Sequence, residues 1–377
     1  MRLAWTKTLE GAGIAFGYSN HAAQLRAALE RNGVIFDENA DVQLTLMPAG
    51  GFIPRLGKYN VLYTMFESTD VPPSWIPKIQ HPDLIVVPCT HNKKVFERFT
   101  KVPIEVCLEG TKPDVFTYVE RKYPEAYPDP TDEAGLIYPT LRKPLKLKTP
   151  FNFLWFGASN QRKGYVHTIY AWHELKKKYP EIARNCRLYM KTTQTEPQKR
   201  IAGFNMGEPI VQEQPAERVF TADNVTVDTR RVSEEALATM YHNAHCFLFP
   251  TMGEGFGLTL AEAMSTGMPC IYTPWSGPVD FCSSKEAYPL KFKILPVKAE
   301  FSACGGKASD DYETSSASAD ISHIVRRMVQ VYSDYDTALE KGKRAAERIR
   351  KEITWDISAK RLIEIINNHT CKEAKAC

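Results

Sequence analysis

Residues 246–268 of this 377-residue chain read CFLFPTMGEGFGLTLAEAMSTGM: an apolar run, a glycine-rich loop, then a breaker-free stretch of helical spacing. No other segment constrains the fold as much. The short run Cys246–Pro250 has the character of a buried strand, and a strand feeding directly into a helix belongs to a parallel α/β sheet. The connecting loop leaves the amides of Gly255, Phe256, Gly257 and Leu258 at a helix N-terminus. Unpaired N–H groups and the helix dipole there favour an anion or sugar oxygens. Two carboxylates frame the loop, Glu254 inside it and Glu262 near the second helical turn. At about 1.5 Å rise per residue their spacing allows on the order of 10 Å between them. Leu260, Ala261, Met264 and Met268 form the core stripe, whereas Glu262 has the mixed neighbours Leu258, Thr259, Ser265 and Thr266. Glu262 can thus face the same way as the loop, and the two acids suit the two ends of one elongated polyhydroxylated ligand. The bland alternative is a glycine turn with two surface acids.

The rest of the chain repeats the strand–helix alternation. Apolar runs at Arg2–Trp5, Val34–Phe36, Val42–Leu46, Asn60–Met65 and Leu84–Pro88 are interleaved with helical segments near Asn20–Arg31 and Asn92–Phe99. A proline-rich, partly basic stretch over about 120–149 marks the best interdomain boundary. A second series then runs through Phe151–Phe156, Arg187–Met190, Val225–Val227, Cys246–Pro250 and Cys270–Tyr272. Two Rossmann-like domains follow, over 1–145 and 146–350, with a helical segment over 351–377 that can pack back on the first. Phe301–Ser318, rich in Ser, Gly and Ala, reads as an exposed loop. Arg142–Lys148 is basic, but with proline inside and few aromatics it reads as a solvated linker rather than a nucleic-acid or membrane surface. A net charge of +4 neither demands nor excludes a nucleic-acid partner. The chain has no apolar run long enough to span a membrane and no signal-type start, which points to a cytoplasmic protein. Scattered cysteines without a C-x-x-C pair are expected to be reduced and buried.

Other loops carry candidate chemistry. After Phe151–Phe156 come Arg162 and Lys163, a fork and a point charge suited to a diphosphate at the carboxyl end of a parallel strand. After Asn60–Met65 come Glu67 and Asp70; Glu67 is the acceptor-side choice, against a surface acid capping the next helix, and Thr90-His91-Asn92 is the other candidate. Gly11 and Gly13 in the first strand–helix loop form a weak G-x-G. His242-x-x-His245-Cys246 lacks a clear fourth ligand, so no zinc is assigned.

The pattern Glu254-x7-Glu262 within GEGFGLTLAEAMSTGMPCI resembles the E-x7-E signature of retaining GT-B glycosyltransferases, the group of sucrose-synthase, glycogen-synthase and mannosyltransferase type. Phe156-Gly157 through Arg162-Lys163-Gly164 resembles the same family's F-G-x-x-x-x-R-K-G element. The likeness is strong over about 150–290 and at Thr354-Trp355-Asp356, and weaker in the first half. It implies a metal-independent hexosyltransferase that uses a UDP- or GDP-sugar as substrate and needs no cofactor. In that family the first acid holds the donor sugar and the second the ribose, which carries over to Glu254 and Glu262. The amides of Gly255–Leu258 would touch sugar and phosphate, and Arg162 and Lys163 would neutralise the leaving diphosphate. Gly11 and Gly13 would approach the phosphates, Lys191 would add charge, and Arg231-Val232 would hold the nucleobase. The acceptor is a hydroxyl on a glycan, lipid or modified nucleobase, DNA included. Two rivals are a glycoside hydrolase or phosphorylase using the two glutamates, and a non-catalytic nucleotide-sugar-binding protein. Carboxyls reading opposite ends of a ligand fit the hydrolase poorly, because hydrolases flank one bond at about 5–9.5 Å.

Overall fold

The computed structural model describes residues 1–6, 17–125, 146–192, 200–201, 204–205, 219–298 and 312–373. Its first half holds β1 (Arg2–Trp5), α1 (Gly17–Arg31), β2 (Ile35–Phe36), β3 (Val42–Leu46), β4 (Tyr59–Tyr63), β5 (Leu84–Val87), α2 (Thr90–Phe96) and β6 (Ile104–Val106). These strands form one sheet in the order β2-β1-β3-β4-β5-β6, parallel at every pairing. All four residues of β5 are fully buried, as a central strand covered on both faces requires.

The second half contains β7 (Phe151–Phe156), α3 (Tyr165–Lys178), α4 (Pro180–Ala183), β8 (Cys186–Lys191) and a small hairpin of β9 (Arg200–Ile201) and β10 (Phe204–Asn205). It continues with β11 (Val219–Ala222), β12 (Val225–Asp228), α5 (Glu234–Asn243), β13 (Cys246–Phe249), α6 (Leu258–Ser265), β14 (Cys270–Tyr272) and β15 (Tyr288–Pro289). The sheet order is β11-β12-β8-β7-β13-β14-β15, with only β11 antiparallel to its neighbour. Local chemistry sets several starts: Ser233 caps α5 by accepting from the Ala236 amide at 3.2 Å. In parallel sheets of this kind ligands sit beyond the carboxyl ends of the strands. The loops after β4, β6, β7 and β13 leave such ends.

The chain closes with β16 (Phe292–Lys298), β17 (Glu313–Ala319), α7 (Ile321–Ser333), α8 (Tyr335–Glu352) and α9 (Trp355–Glu373). Asp320 caps α7 by accepting from the His323 amide at 2.7 Å. Trp355, Ala359, Leu362 and Ile366 form a helical stripe on α9 that packs with Leu25, Ala28 and Leu29 of α1 in the first core. The last helix therefore returns to the first sheet. Phe116 already sits in the second core with Phe247, Met264 and Ala345. Arg121 pins this crossing by donating to the Tyr241 and Ala244 carbonyls at 2.9 and 3.2 Å and to Thr266 Oγ1 at 2.9 Å. Both precede most of the proline-rich stretch, whose residues 126–145 lie outside the described residues.

The reading of Phe301–Ser318 as an exposed loop is corrected over its second part. Glu313–Ala319 is a strand, paired antiparallel with β16, and Thr314, Ser316 and Ala317 are buried. It crosses to the first half, where the Thr69 amide donates to the Ser315 carbonyl at 3.1 Å and the Ser315 amide to Thr69 Oγ1 at 3.0 Å. Small residues suit so close an approach, yet they lack the β-branched and aromatic bias by which a strand is recognised. Residues 299–311 fall outside the described set. Among the described residues no helix is long and apolar enough to cross a membrane. Six described cysteines are buried and unpaired by disulfides, and Cys371 is exposed.

Candidate active site

The loop after β7 and the loop after β13 are clamped to each other. Trp155 Nε1 donates to the Lys163 carbonyl at 3.0 Å, and the Met252 amide donates to the Arg162 carbonyl at 2.7 Å. Arg162 Nη1 returns a bond to the Gly253 carbonyl at 2.8 Å. Lys163 Nζ then meets both oxygens of Glu254, at 2.9 and 2.7 Å, with Arg162 Nη1 3.4 Å from the same carboxylate. Glu254 is 5% exposed, and Ser276 Oγ accepts from its amide at 2.9 Å. Burial lowers the pKa of Lys163, and the Glu254 carboxylate beside it opposes that shift.

Glu67 approaches from the first half. Asn92 holds its loop by accepting from the Phe66 amide at 3.1 Å and donating to the Phe66 carbonyl at 2.5 Å. Tyr18 of α1 fixes Met65 in the same manner, at 3.0 and 2.8 Å. Arg162 Nη2 lies 3.6 Å from Glu67 Oε1, an ion pair between the halves. The two loops touch so closely that a Cβ on Gly253 would collide with the Glu67 carbonyl oxygen. Asp70 is instead drawn to Arg98 at 2.6 Å. Of Thr90-His91-Asn92, the Thr90 amide donates to Asp280 Oδ2 at 2.5 Å across the halves and His91 packs on Trp275 at 4.8 Å. His91 and Asn92 thus bond to the Glu67 loop, through the Ser68 carbonyl at 3.1 Å and through Phe66.

Gly257, at φ 114°, takes the left-handed conformation from which α6 starts. Phe256 is buried against Phe281, with ring centroids 4.7 Å apart, which leaves its backbone as the part available to a ligand. Glu262 is 7% exposed and receives a hydrogen bond from the Tyr241 hydroxyl at 3.0 Å. Burial pushes its carboxyl up to about 8, against the lowering effect of that hydroxyl. Glu262 lines a narrow cavity between the halves with Leu258, Asn20, Gln24, Gly110, Lys112 and Trp355. Lys112 Nζ closes one side on Glu234 Oε2 at 2.5 Å.

Lys191 is buried, and its ammonium donates to the carbonyls of Thr192, Asp228 and Arg230 at 3.0, 3.3 and 2.5 Å. Its charge serves the backbone at the ends of β8 and β12. Arg231 is exposed and Val232 half-buried between β12 and α5. Gly11 and Gly13 lie outside the described residues. His242 Nε2 pairs with the Thr117 carbonyl at 3.0 Å and His245 Nδ1 accepts from the Asn152 amide at 2.9 Å. Among the described residues no group of three His, Cys, Asp or Glu side chains is placed to hold a metal.

One residue at this centre escapes the sequence reading. Glu109, just beyond β6, is 3% exposed and feels the charges of Glu254, Lys163, Glu262 and Glu67. Burial first, then Glu254, raises its pKa well above the usual carboxylate range. An acid followed by glycine at the end of a parallel strand, Glu109-Gly110, was the available signal.

Residues 123–362, well over half of the chain, match the family described as GT4-conflict, Family 4 Glycosyltransferase in conflict systems. The chain belongs to this glycosyltransferase family. It is also similar to a sucrose synthase of Melioribacter roseus, 29% identical over 133 residues, which is 35% of this chain and 14% of that protein. The matched part is thus a small share of that relative's length. Among solved structures, sucrose-phosphate synthase from Thermosynechococcus elongatus aligns with a TM-score of 0.60 at 15% identity, over 98% of this chain and 99% of its own. WaaG, a glycosyltransferase involved in lipopolysaccharide biosynthesis, aligns with a TM-score of 0.59 at 12% identity, over 96% and 98%. At these identities the likeness speaks for the fold. This family 4 glycosyltransferase has the GT-B fold, two Rossmann-like α/β units about a cleft.

Proposed function

We propose that this glycosyltransferase moves a hexose, with retention of anomeric configuration, from a UDP- or GDP-sugar to a hydroxyl acceptor and uses no metal. The observation that carries the reading is the joined Arg162, Lys163 and Glu254 cluster, with Glu262 turned into the neighbouring cavity. Arg162 and Lys163 offer positive charge to a departing diphosphate, and the N-terminus of α6 adds its dipole. Glu254 then faces the sugar as positive charge develops on its ring, while Glu262 accepts from the ribose. Glu67, held against Arg162, is the acceptor-side acid. The role of Arg231 and Val232 at the nucleobase rests on the likeness of their position after β12.

No protein nucleophile is assigned, because retention in this reading proceeds on one face of the sugar. The acceptor is a hydroxyl on a glycan, a lipid or a modified base of DNA. Contact between the halves supports exclusion of water, which otherwise hydrolyses the donor. The test is a thermal-shift screen of UDP, GDP and their sugars, since a ligand that binds only the native state raises its stability. NMR of the transfer product then reports the anomer. An inverted product refutes retention. Tight donor binding with neither transfer nor hydrolysis across an acceptor panel turns the reading to a binding protein.

A further inference from the structure

We propose that Glu109 contacts the diphosphate of the donor as a hydrogen-bond donor, with His21 as the positioning residue behind it. This rests on the donor reading above. Glu109 follows β6, at the carboxyl end of a parallel strand, and the next residue, Gly110, lines the cavity that holds Glu262. The charge acting on it most is that of Glu254, followed by Lys163 and Glu262. Beside that cavity, it is within electrostatic reach of both the acid assigned to the sugar and the acid assigned to the ribose. The part of a nucleotide sugar that joins those two ends is the diphosphate.

A carboxylate beside a diphosphate repels it, so an acid in this place must carry its proton or weaken binding. Burial and the Glu254 charge both favour the protonated form of Glu109. A neutral carboxyl has one O–H to give, and a phosphate oxygen accepts it as a charge-assisted hydrogen bond. That bond strengthens as the leaving oxygen gains charge.

His21 supplies an independent observation. It is fully buried, neither ring nitrogen has a hydrogen-bond partner among the described residues, and Nδ1 lies 3.4 Å from Glu109 Oε1. Tyr63 meets the ring edge-on at 4.6 Å and Trp355 lies beside it at 5.3 Å, so the imidazole is wedged in place. Burial lowers its pKa to about 3, which leaves it neutral with a single N–H. A buried polar ring without a partner is costly. Placing that hydrogen on Nδ1 lets a small shift close a bond to Glu109 Oε1. The other carboxyl oxygen then keeps the proton that Glu109 can give to a ligand.

The experiment is calorimetric titration of the full chain with UDP, GDP and the matching monophosphates. Glu109→Gln, whose amide can donate in the same direction, is expected to bind the diphosphate within about threefold of the native protein. Glu109→Ala is expected to lose roughly 10- to 100-fold for the diphosphate, the range for a hydrogen bond to a charged group, and little for the monophosphate. Circular dichroism checks that the alanine variant is folded, and the glutamine variant decides the matter if it is not. A tenfold tightening in Glu109→Gln would show an ionised, repelling carboxylate and overturn the proposal. An unchanged diphosphate affinity in folded Glu109→Ala, or equal losses for mono- and diphosphate, would also overturn it. If the native protein binds neither nucleotide, the donor reading itself fails, which the native titration shows before any variant is made.

Discussion

Replacing Glu254 by glutamine is expected to move nucleotide affinity and turnover in opposite directions. In the free protein the Glu254 carboxylate holds Lys163 Nζ at 2.7 and 2.9 Å and lies 3.4 Å from Arg162. A diphosphate seated on those cations must draw them from Glu254 and accept a negative charge nearby. At a separation of about 6 Å and an effective dielectric of about 20, the repulsion is roughly 3 kcal/mol. The Lys163 and Arg162 side chains are 25% and 34% exposed, so solvent screening reduces this to about half. Bare nucleoside diphosphate should then bind Glu254→Gln roughly tenfold more tightly than the native protein. The same change removes the negative field from the carbon where positive charge develops, and kcat should fall roughly 10²- to 10³-fold. Calorimetry supplies the affinity and initial rates at saturating donor supply kcat. If Glu254→Gln weakens the bare diphosphate as much as Glu262→Ala does, the assignment of the two acids to opposite ends of the donor is refuted.

Four further outcomes are expected. Glu262 has a pKa of about 8 in the free protein and lies beside the ribose in this reading, so nucleotide binding near pH 7 should release a proton. Calorimetry in buffers of differing ionisation enthalpy should show that release, and Glu262→Gln should abolish it; equal release in both would detach the proton from Glu262. The same group makes stability fall with rising pH. Its folded pKa exceeds the unfolded value of 4.5, so its contribution is full below about 4.5 and lost as pH passes about 8, and chemical denaturation of native and Glu262→Gln proteins should diverge across that window. Gly253→Ala drives a methyl into the Glu67 carbonyl and should cut kcat/KM at least tenfold, roughly, by parting the loops, with the melting temperature changed little; full activity would deny that the loops meet during transfer. Transfer should survive exhaustive chelation, while Arg162→Ala and Lys163→Ala should each lower kcat/KM roughly 10²- to 10³-fold; activity restored only by added Mg2+ or Mn2+ counts against the cationic clamp.

Much of the fold was legible because its strands are contiguous apolar runs. Val42–Leu46, Phe151–Phe156 and Cys270–Tyr272 have the bounds expected from the sequence, and the core stripe of α6 is fully buried. What escaped has no local period. Phe116 and Arg121 anchor the crossing as single residues, and β17 is mostly Thr, Ser and Ala, with Thr314 and Ser315 bonded to Thr69 of the opposite half. Lys191 shows what the sequence does not display for a charge: three backbone carbonyls converge on its ammonium, and only the folded chain reveals them.

The same distinction explains which parts of the site could be read. One strand–loop–helix unit carries Glu254, the loop amides and Glu262, so their relation is a matter of spacing along the chain. The first-half contributions reach it only across space. Arg162 with Glu67, Gly253 with the Glu67 carbonyl, and Lys112 with Glu234 each join residues far apart in sequence. The first-half partners, Glu67 and Lys112, need no particular neighbour in the chain, so no motif forms around them. Glu109 belongs to this class: its one local signal is the glycine that follows it near a strand end, and its character comes from burial beside His21 and from Glu254 across the cleft. A site built in this way is complete only while the two halves are in contact. Substitutions in the first half that never touch the donor, such as Asn92→Ala beneath the Glu67 loop, should therefore depress turnover by loosening Glu67 from Arg162.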